Sequence, residues 1–228
     1  MNIAIVGATG NVGRKTLEVL EKKGLTLGNL YLVASSKSAG KKIHFQGKDI
    51  VVSELENFDF SKVKIAFFAA GGKISEKFAE KAAKHCLVID NSSFFRMDPD
   101  VPLIVPQVNS DALNNIKKNI IANPNCSTAQ LVIALKPLHD LFVIKRIVVS
   151  TYQSVSGAGK ASMDELIKQT KLALDGKDIK SENFTKPIAF NAIPHIDVFS
   201  EDDYTKEKLK MRNETKKILD DKIDLTAT

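Results

Sequence analysis

An α/β fold is the prediction for this chain, and three observations carry it. The first residues set an apolar strand, a glycine-rich turn and an amphipathic helix in immediate succession. Short apolar runs of strand length then alternate with helical stretches as far as residue 122. Beyond that point a turn holding Cys126 opens a further helix, and one long alternating run follows it. Alternation of this kind builds a parallel sheet with helices on its faces. We therefore expect a Rossmann-like domain over residues 1–122 and a second domain over residues 123–228.

Asn2-Ile3-Ala4-Ile5-Val6 is the first strand, and it runs straight into Gly7-Ala8-Thr9-Gly10-Asn11-Val12-Gly13. The spacing is G-x-x-G-x-x-G, and the helix Arg14 to Lys23 follows, ended by Gly24. Strand, glycine turn and helix are the context that dinucleotide binding needs. Glycines let the backbone approach a pyrophosphate, which then rests on the helix N-terminus. The second strand is Leu30 to Ala34. NAD-specific domains end this strand on a carboxylate that binds the ribose 2′-hydroxyl. Here the chain reads Ser35-Ser36-Lys37-Ser38-Ala39-Gly40-Lys41 instead. Hydroxyls and a lysine hold a 2′-phosphate that a carboxylate would repel, so the reading is NADP. The alternative is a solvated lysine loop.

Asp49 to Ser53 reads as a short strand, and Val63 to Ala70 as another ending on Gly71-Gly72. A helix over 73–84 leads to the buried strand Cys86 to Asp90, where Cys86 reads as packing. The exit turn Asn91-Ser92-Ser93-Phe94-Phe95-Arg96 carries one of only four arginines. A guanidinium offers a planar fork to phosphate or carboxylate; a structural ion pair is the competing reading. Pro102 to Asn109 reads as extended and leads through a short helix to a strand over 119–122.

Next comes Asn123-Pro124-Asn125-Cys126-Ser127-Thr128, then an apolar helix that Pro137 is expected to end. A cysteine on a turn that opens a helix meets unpaired N–H groups and the positive end of the dipole, which favour a thiolate nucleophile. The bland reading is a small buried filler. Ile144 to Gln153 alternates as a long strand and closes on Ser154-Val155-Ser156-Gly157-Ala158-Gly159-Lys160, before a helix over 161–174. Gln153 at the strand's end is placed to orient a substrate carbonyl, and Ser156 and Gly157 to meet a cofactor, against the reading of an ordinary strand-to-helix turn. In the charged helix from Lys206 to Leu219, Glu207 and Lys210 share a face, generically as a solvent-facing pair. Tyr204 and Lys208 match a Y-x-x-x-K spacing, but in the wrong context.

Composition narrows the function classes. The 228 residues, 43% apolar and 26% charged, suit a globular protein with a substantial core. The net charge of +6 comes from scattered lysines with no aromatic-interleaved basic stripe, which argues against nucleic acid. No apolar run is long enough to span a bilayer, and the start lacks the features of a signal peptide. Two cysteines make no disulfide framework and suit a reducing cytoplasm. No metal-ligand spacing is found.

Together these segments resemble aspartate-semialdehyde dehydrogenase. The resemblance rests on Gly7 to Gly13, the Ser35-to-Lys41 turn, Asn91 to Met97 with Asp98 to Leu103, Asn123 to Thr128, Tyr152 to Gly159, and Lys210 to Lys216. It implies an NADPH-dependent reductive dephosphorylation of L-aspartyl 4-phosphate to L-aspartate 4-semialdehyde with release of phosphate. That step serves lysine (through diaminopimelate), threonine and methionine synthesis. By position, the resemblance makes Cys126 the nucleophile, with Gln153 on substrate. Glu207 helps bind the substrate amino group, and Arg96 with Lys210 holds phosphate. Backbone N–H groups near Asn125 and Cys126 face the oxyanion. Gly7, Thr9, Gly10, Asn11, Val12 and Gly13, Lys37 with Ser38, and Ser156 with Gly157 line the NADP site. The second domain is by the same resemblance an α+β catalytic and dimerisation domain, and the full-length protein a cytoplasmic homodimer. Lys37 keeps the charge of an arginine frequent in relatives but lacks its fork.

The chain departs from the family at Asp224-Leu225-Thr226-Ala227-Thr228. There the family continues into a Cys-Val-Arg-Val-Pro segment and a Gly-His-Ser segment, which bring a substrate arginine and the histidine acid/base. His195 does not match that position. The expectation is an incomplete second domain and a truncated chain with little activity of its own. N-acetyl-glutamyl-phosphate reductase, with a similar cysteine turn, and a non-catalytic nucleotide-binding remnant are the rival readings.

Overall fold

A computed structural model of the chain describes residues 1–200 and 204–227. Two compact units form: Met1–Ile147 with Met211–Asp224, and Val148–Lys210 with Leu225–Thr228.

The first unit is built on β1 (Ile3–Val6), α1 (Asn11–Lys22) and β2 (Leu30–Ala34), followed by β3 (Lys42–Phe45), β4 (Lys48–Val51) and β5 (Ser53–Glu54). Then come β6 (Ile65–Phe68), α2 (Gly72–Ala83), β7 (Leu87–Asp90), the one-turn α3 (Pro106–Asn109), β8 (Ile120–Ala122) and α4 (Cys126–Phe142). Six strands make one parallel sheet in the order β5-β2-β1-β6-β7-β8. All four residues of β1 are buried, so they read as a continuous apolar run rather than an alternating one. Successive side chains leave the strand on opposite faces. Ala4 and Val6 join Phe68, Phe78, Ala79 and Val88 on one side, and Ile5 joins Leu17, Leu20 and Leu32 on the other. The predicted α/β architecture is therefore the one found.

Four local expectations need correction. The stretch read as one strand over 49–53 belongs instead to a hairpin, β3 on β4, closed by Gln46 (φ 47°) and Gly47 (φ 76°). Two successive left-handed residues are what a two-residue hairpin turn requires. Pro137 does not end its helix: α4 runs on to Phe142, forgoing one hydrogen bond at the proline, and closes on Val143 in the left-handed region. The strand read as ten residues keeps only β9 (Arg146–Val149). The stretch 102–109 is extended only in its first half, where Leu103 bridges Ala122; Pro106 then starts α3.

In the second unit, α5 (Lys160–Leu174) follows a 3-10 turn over Val155–Ala158. Glu165 and Gln169, one turn apart and buried, organise the loop beside them. The Glu165 carboxylate accepts from the N–H groups of Glu182 and Asn183, and the Gln169 amide oxygen from those of Ile188 and Ala189. Helix α6 (Lys206–Ile218) begins in the second unit and belongs to the first from Met211 onward, and β10 (Asp224–Ala227) pairs with β9 in a two-stranded sheet.

Candidate active site

The glycine turn is shaped by close approach. Gly7 has φ +86°, and a Cβ there would stand 2.7 Å from the Ala69 carbonyl oxygen. A Cβ on Gly13 would stand 2.3 Å from the Gly7 carbonyl oxygen, so α1 seats on the turn only without one. Helix α1 starts with no side-chain cap and no acidic residue in its first turn. The positive dipole end of the helix thus carries no acidic side chain of its own, which favours an anion there. Thr9 Oγ1 hydrogen-bonds Ser38 Oγ at 3.4 Å, which ties the glycine turn to the turn after β2. A cavity of about 470 Å³ opens between them, lined by Gly7, Thr9, Gly10, Ser35, Ser36 and Ala69 among others. It sits beyond the carboxyl ends of β1, β2 and β6, where strand order reverses, the usual nucleotide position in such sheets. These features fit a dinucleotide. Lys37 is exposed on the same turn, while Asn11 and Val12 are exposed at the start of α1.

Cys126 is the first residue of α4 and is exposed. Asn125 caps the helix: its side-chain oxygen accepts from Ser127 N–H at 2.8 Å. Cys86 is different. Buried in β7's approach, its thiol is pushed up to about 11 by desolvation.

Arg96 is buried and its guanidinium is fixed on three sides. Nε donates to the Asn123 carbonyl at 2.9 Å, Nη2 to the Asn91 carbonyl at 3.2 Å, and Nη1 to Glu214 Oε1 at 3.0 Å. A guanidinium has five N–H donors, and three of them are engaged among the described residues. Glu214, 1% exposed on α6, was not singled out in the sequence. Its other oxygen accepts from the Asn125 backbone N–H at 2.7 Å. That N–H is therefore occupied, and of the two backbone groups expected to face an oxyanion, the Cys126 N–H is the remaining candidate. Lys217, one turn further along α6, donates to the carbonyls of Arg96, Asp98 and Val101.

In the second unit, Gln153, Ser156 and Gly157 are exposed on one turn. The Gln153 side chain lies over Gly157, where a Cβ would meet its amide nitrogen at 2.0 Å. Ser156 Oγ hydrogen-bonds Ser154 Oγ at 2.7 Å. Lys210 bridges two carboxylates, Asp197 at 2.8 Å and Glu207 at 3.1 Å. Burial opposes its charge, but the hydrogen bonds to Asp197 and Glu207 prevail and hold its pKa above the usual lysine value. Among the described residues no group of His, Cys, Asp and Glu is placed to hold a metal ion. No described helix is long and apolar enough to cross a membrane.

Comparison with known proteins matches residues 2–116 to the NAD-binding domain of semialdehyde dehydrogenases and residues 135–228 to their dimerisation domain. The chain is 53% identical to an aspartate-semialdehyde dehydrogenase of Aquifex aeolicus, over 99% of this chain and 68% of that one. It is 52% identical to aspartate-semialdehyde dehydrogenase 2 of Vibrio cholerae, over 96% and 66%. The Vibrio cholerae aspartate semialdehyde dehydrogenase II, crystallised in complex with ASA, superposes with a TM-score of 0.97 at 50% identity, covering all of this chain and 68% of that structure. An enzyme from Candida albicans solved with NADP gives 0.67 at 26% identity, over 99% of this chain and 66% of its own. The chain thus spans about two thirds of the length of these relatives.

Proposed function

The chain belongs to the aspartate-semialdehyde dehydrogenase family of enzymes, and from that premise we propose that its site serves the NADPH-dependent reductive dephosphorylation of L-aspartyl 4-phosphate to L-aspartate 4-semialdehyde. The observation that carries this reading is Cys126, exposed at the first position of α4. On one side of its turn stands the guanidinium of Arg96.

In this reading the Cys126 thiolate attacks the acyl phosphate carbon, and the carbonyl oxygen takes the charge beside the Cys126 N–H. The carbon–oxygen bond to phosphate breaks, leaving a thioester on Cys126. Arg96 and Lys210 take the departing phosphate, while Gln153 orients the acyl group and Glu207 binds the substrate amino group. NADPH, when bound along the glycine turn, supplies the hydride that converts the thioester to the aldehyde. Gly7, Thr9, Gly10, Asn11, Val12 and Gly13 would hold its pyrophosphate, Lys37 and Ser38 its 2′-phosphate, and Ser156 with Gly157 would also line its site. The absence of a carboxylate directly after β2 supports NADP over NAD. By role, we divide the chain after Ala122 into a cofactor domain and a catalytic and dimerisation domain. The matched dimerisation domain supports a homodimer for the whole protein, and the unpaired cysteines a cytoplasmic one. Identity to several aspartate enzymes supports aspartyl phosphate over N-acetyl-glutamyl phosphate.

The test is to mix the chain with each acyl phosphate in turn, without NADPH, and look for the acyl adduct by intact mass and peptide mapping. An aspartyl adduct on Cys126, labile to hydroxylamine and lost in Cys126→Ser, supports the reading. No adduct, or one that survives Cys126→Ser, overturns it.

A further inference from the structure

Glu214 makes two contacts that no other described residue combines. One carboxylate oxygen accepts from Arg96 Nη1 and the other from the Asn125 N–H, the peptide immediately before Cys126. Both partners are donors, and an ionised carboxylate, with an acceptor oxygen for each and no hydrogen of its own, serves both. The carboxylate is almost wholly buried, a costly place for a charge unless it is paired and fully hydrogen-bonded. Asn125 in turn caps α4 through Ser127. The chain of contacts therefore runs from the arginine through Glu214 to the start of the nucleophile's helix.

We propose that Glu214 is a positioning residue for this site: it fixes the guanidinium of Arg96 to the peptide that opens the Cys126 helix. In doing so it also offsets the arginine's charge next to the turn that leads to Cys126. The proposal rests on the reading of Cys126 and Arg96 given above. Three consequences follow for the variants. In Glu214→Gln one end of the amide is a donor facing a donor, so either Arg96 or the Asn125 peptide must let go. The variant also removes a negative charge near Cys126 and leaves that of Arg96 uncompensated, which favours the thiolate. Glu214→Asp keeps the charge but is one methylene too short for both contacts.

The experiment measures the rate of Cys126 alkylation by iodoacetamide against pH, with peptide mapping and circular dichroism. It compares the parent, Glu214→Gln, Glu214→Asp, Arg96→Lys and the Glu214→Gln/Arg96→Lys double variant. In Glu214→Gln the pH midpoint of alkylation should fall and the rate at pH 7 rise by about fivefold or more. In Glu214→Asp the midpoint should move less. The double variant should match Glu214→Gln within about twofold, because residues in one network do not act additively. A folded Glu214→Gln with the parent's rate and midpoint overturns the proposal, as do fully additive effects. Should Glu214→Gln not fold, Glu214→Asp and Arg96→Lys decide: an unchanged midpoint and rate in both overturns it. The assay needs no turnover, so absence of an acyl adduct in the earlier test would overturn the catalytic reading and leave this one to be judged on alkylation alone.

Discussion

Gln153 and Gly157 share one volume: a Cβ on Gly157 would stand 2.0 Å from the Gln153 amide nitrogen and 2.8 Å from its carboxamide carbon. The two residues are four apart, joined by a turn in which Gly157 N–H donates to the Ser154 carbonyl at 3.0 Å. Glycine at 157 is what lets the glutamine fold back over its own turn. Its backbone is not in the left-handed region, so alanine brings no conformational strain there.

Gly157→Ala should therefore displace the Gln153 amide and do little else. The clash falls on the far end of a flexible side chain, and stability should change by no more than about 0.5 kcal/mol. The Gln153 side-chain amide resonances should shift. Assigned amide spectra of the parent and variant check this. Unmoved Gln153 resonances would mean that the glutamine has other room.

Alkylation should distinguish the two cysteines. Cys126 is exposed, whereas Cys86 is buried with its thiol pushed up to about 11. At pH 8 only about one in a thousand Cys86 side chains would be thiolate. Iodoacetamide on the folded chain should label Cys126 and spare Cys86, with both labelled in denaturant; peptide mapping reads the outcome. Equal labelling of both in the folded state would contradict the burial of β7's approach.

Much of the fold was legible because burial on both faces forces continuous apolar strands, as in Ile3 to Val6, and glycines mark where backbone approaches backbone, as at Gly7 and Gly13. Pro137 misled because a proline costs a helix one hydrogen bond without necessarily ending it, and α4 continues through it to Phe142. The hairpin turn at Gln46-Gly47 went unread because glutamine rarely takes a left-handed backbone. Glu214 and Lys217 were hidden in a lysine-rich helix that looks solvated throughout. A signal was present: Met211, Thr215 and Ile218 recur at helical spacing, all three are buried, and Glu214 sits beside that stripe. A charge next to a buried stripe must find partners elsewhere in the fold, and sequence does not reveal which.

The Asp197–Lys210 pair should stabilise its segment within a defined pH window. Burial works against the Asp197 carboxylate, but the hydrogen bonds from Lys210 and the Val198 N–H outweigh it and hold its pKa below the usual value. Its contribution is present above the unfolded value of about 3.9 and is lost as pH falls through the lower folded value. Lys210 is raised, so its contribution is present below about 10.4 and lost as pH climbs through the higher folded value. Amide protection factors at Val198 and through the first turn of α6, that is, exchange corrected for the intrinsic pH dependence of the amide rate, should be highest between these limits. Asp197→Asn should remove the acid-side dependence and cost roughly 1 kcal/mol locally. An acid limb that persists in the variant would assign it to another carboxylate.

Lys217 should matter more to stability than its place in a charged helix suggests. Its Nζ donates to the carbonyls of Arg96, Asp98 and Val101 at 2.8, 2.7 and 2.9 Å, using every hydrogen of an ammonium group. Burial pushes its pKa below the usual lysine value, with Asp98 working in the opposite direction. Lys217→Met fills similar volume but leaves three carbonyls without their donor, and should cost about 2–3 kcal/mol. The loss should be centred on residues 96–101, the stretch that begins with Arg96. Chemical denaturation gives the magnitude, and exchange at Asp98 N–H and Val101 N–H, which donate to Phe95 and Asp98 carbonyls, gives the location. Because Glu214 grips the same arginine from one turn earlier on α6, the Lys217→Met loss should be less than additive with that of Glu214→Gln. Full additivity would mean that the two side chains hold the Arg96 turn independently.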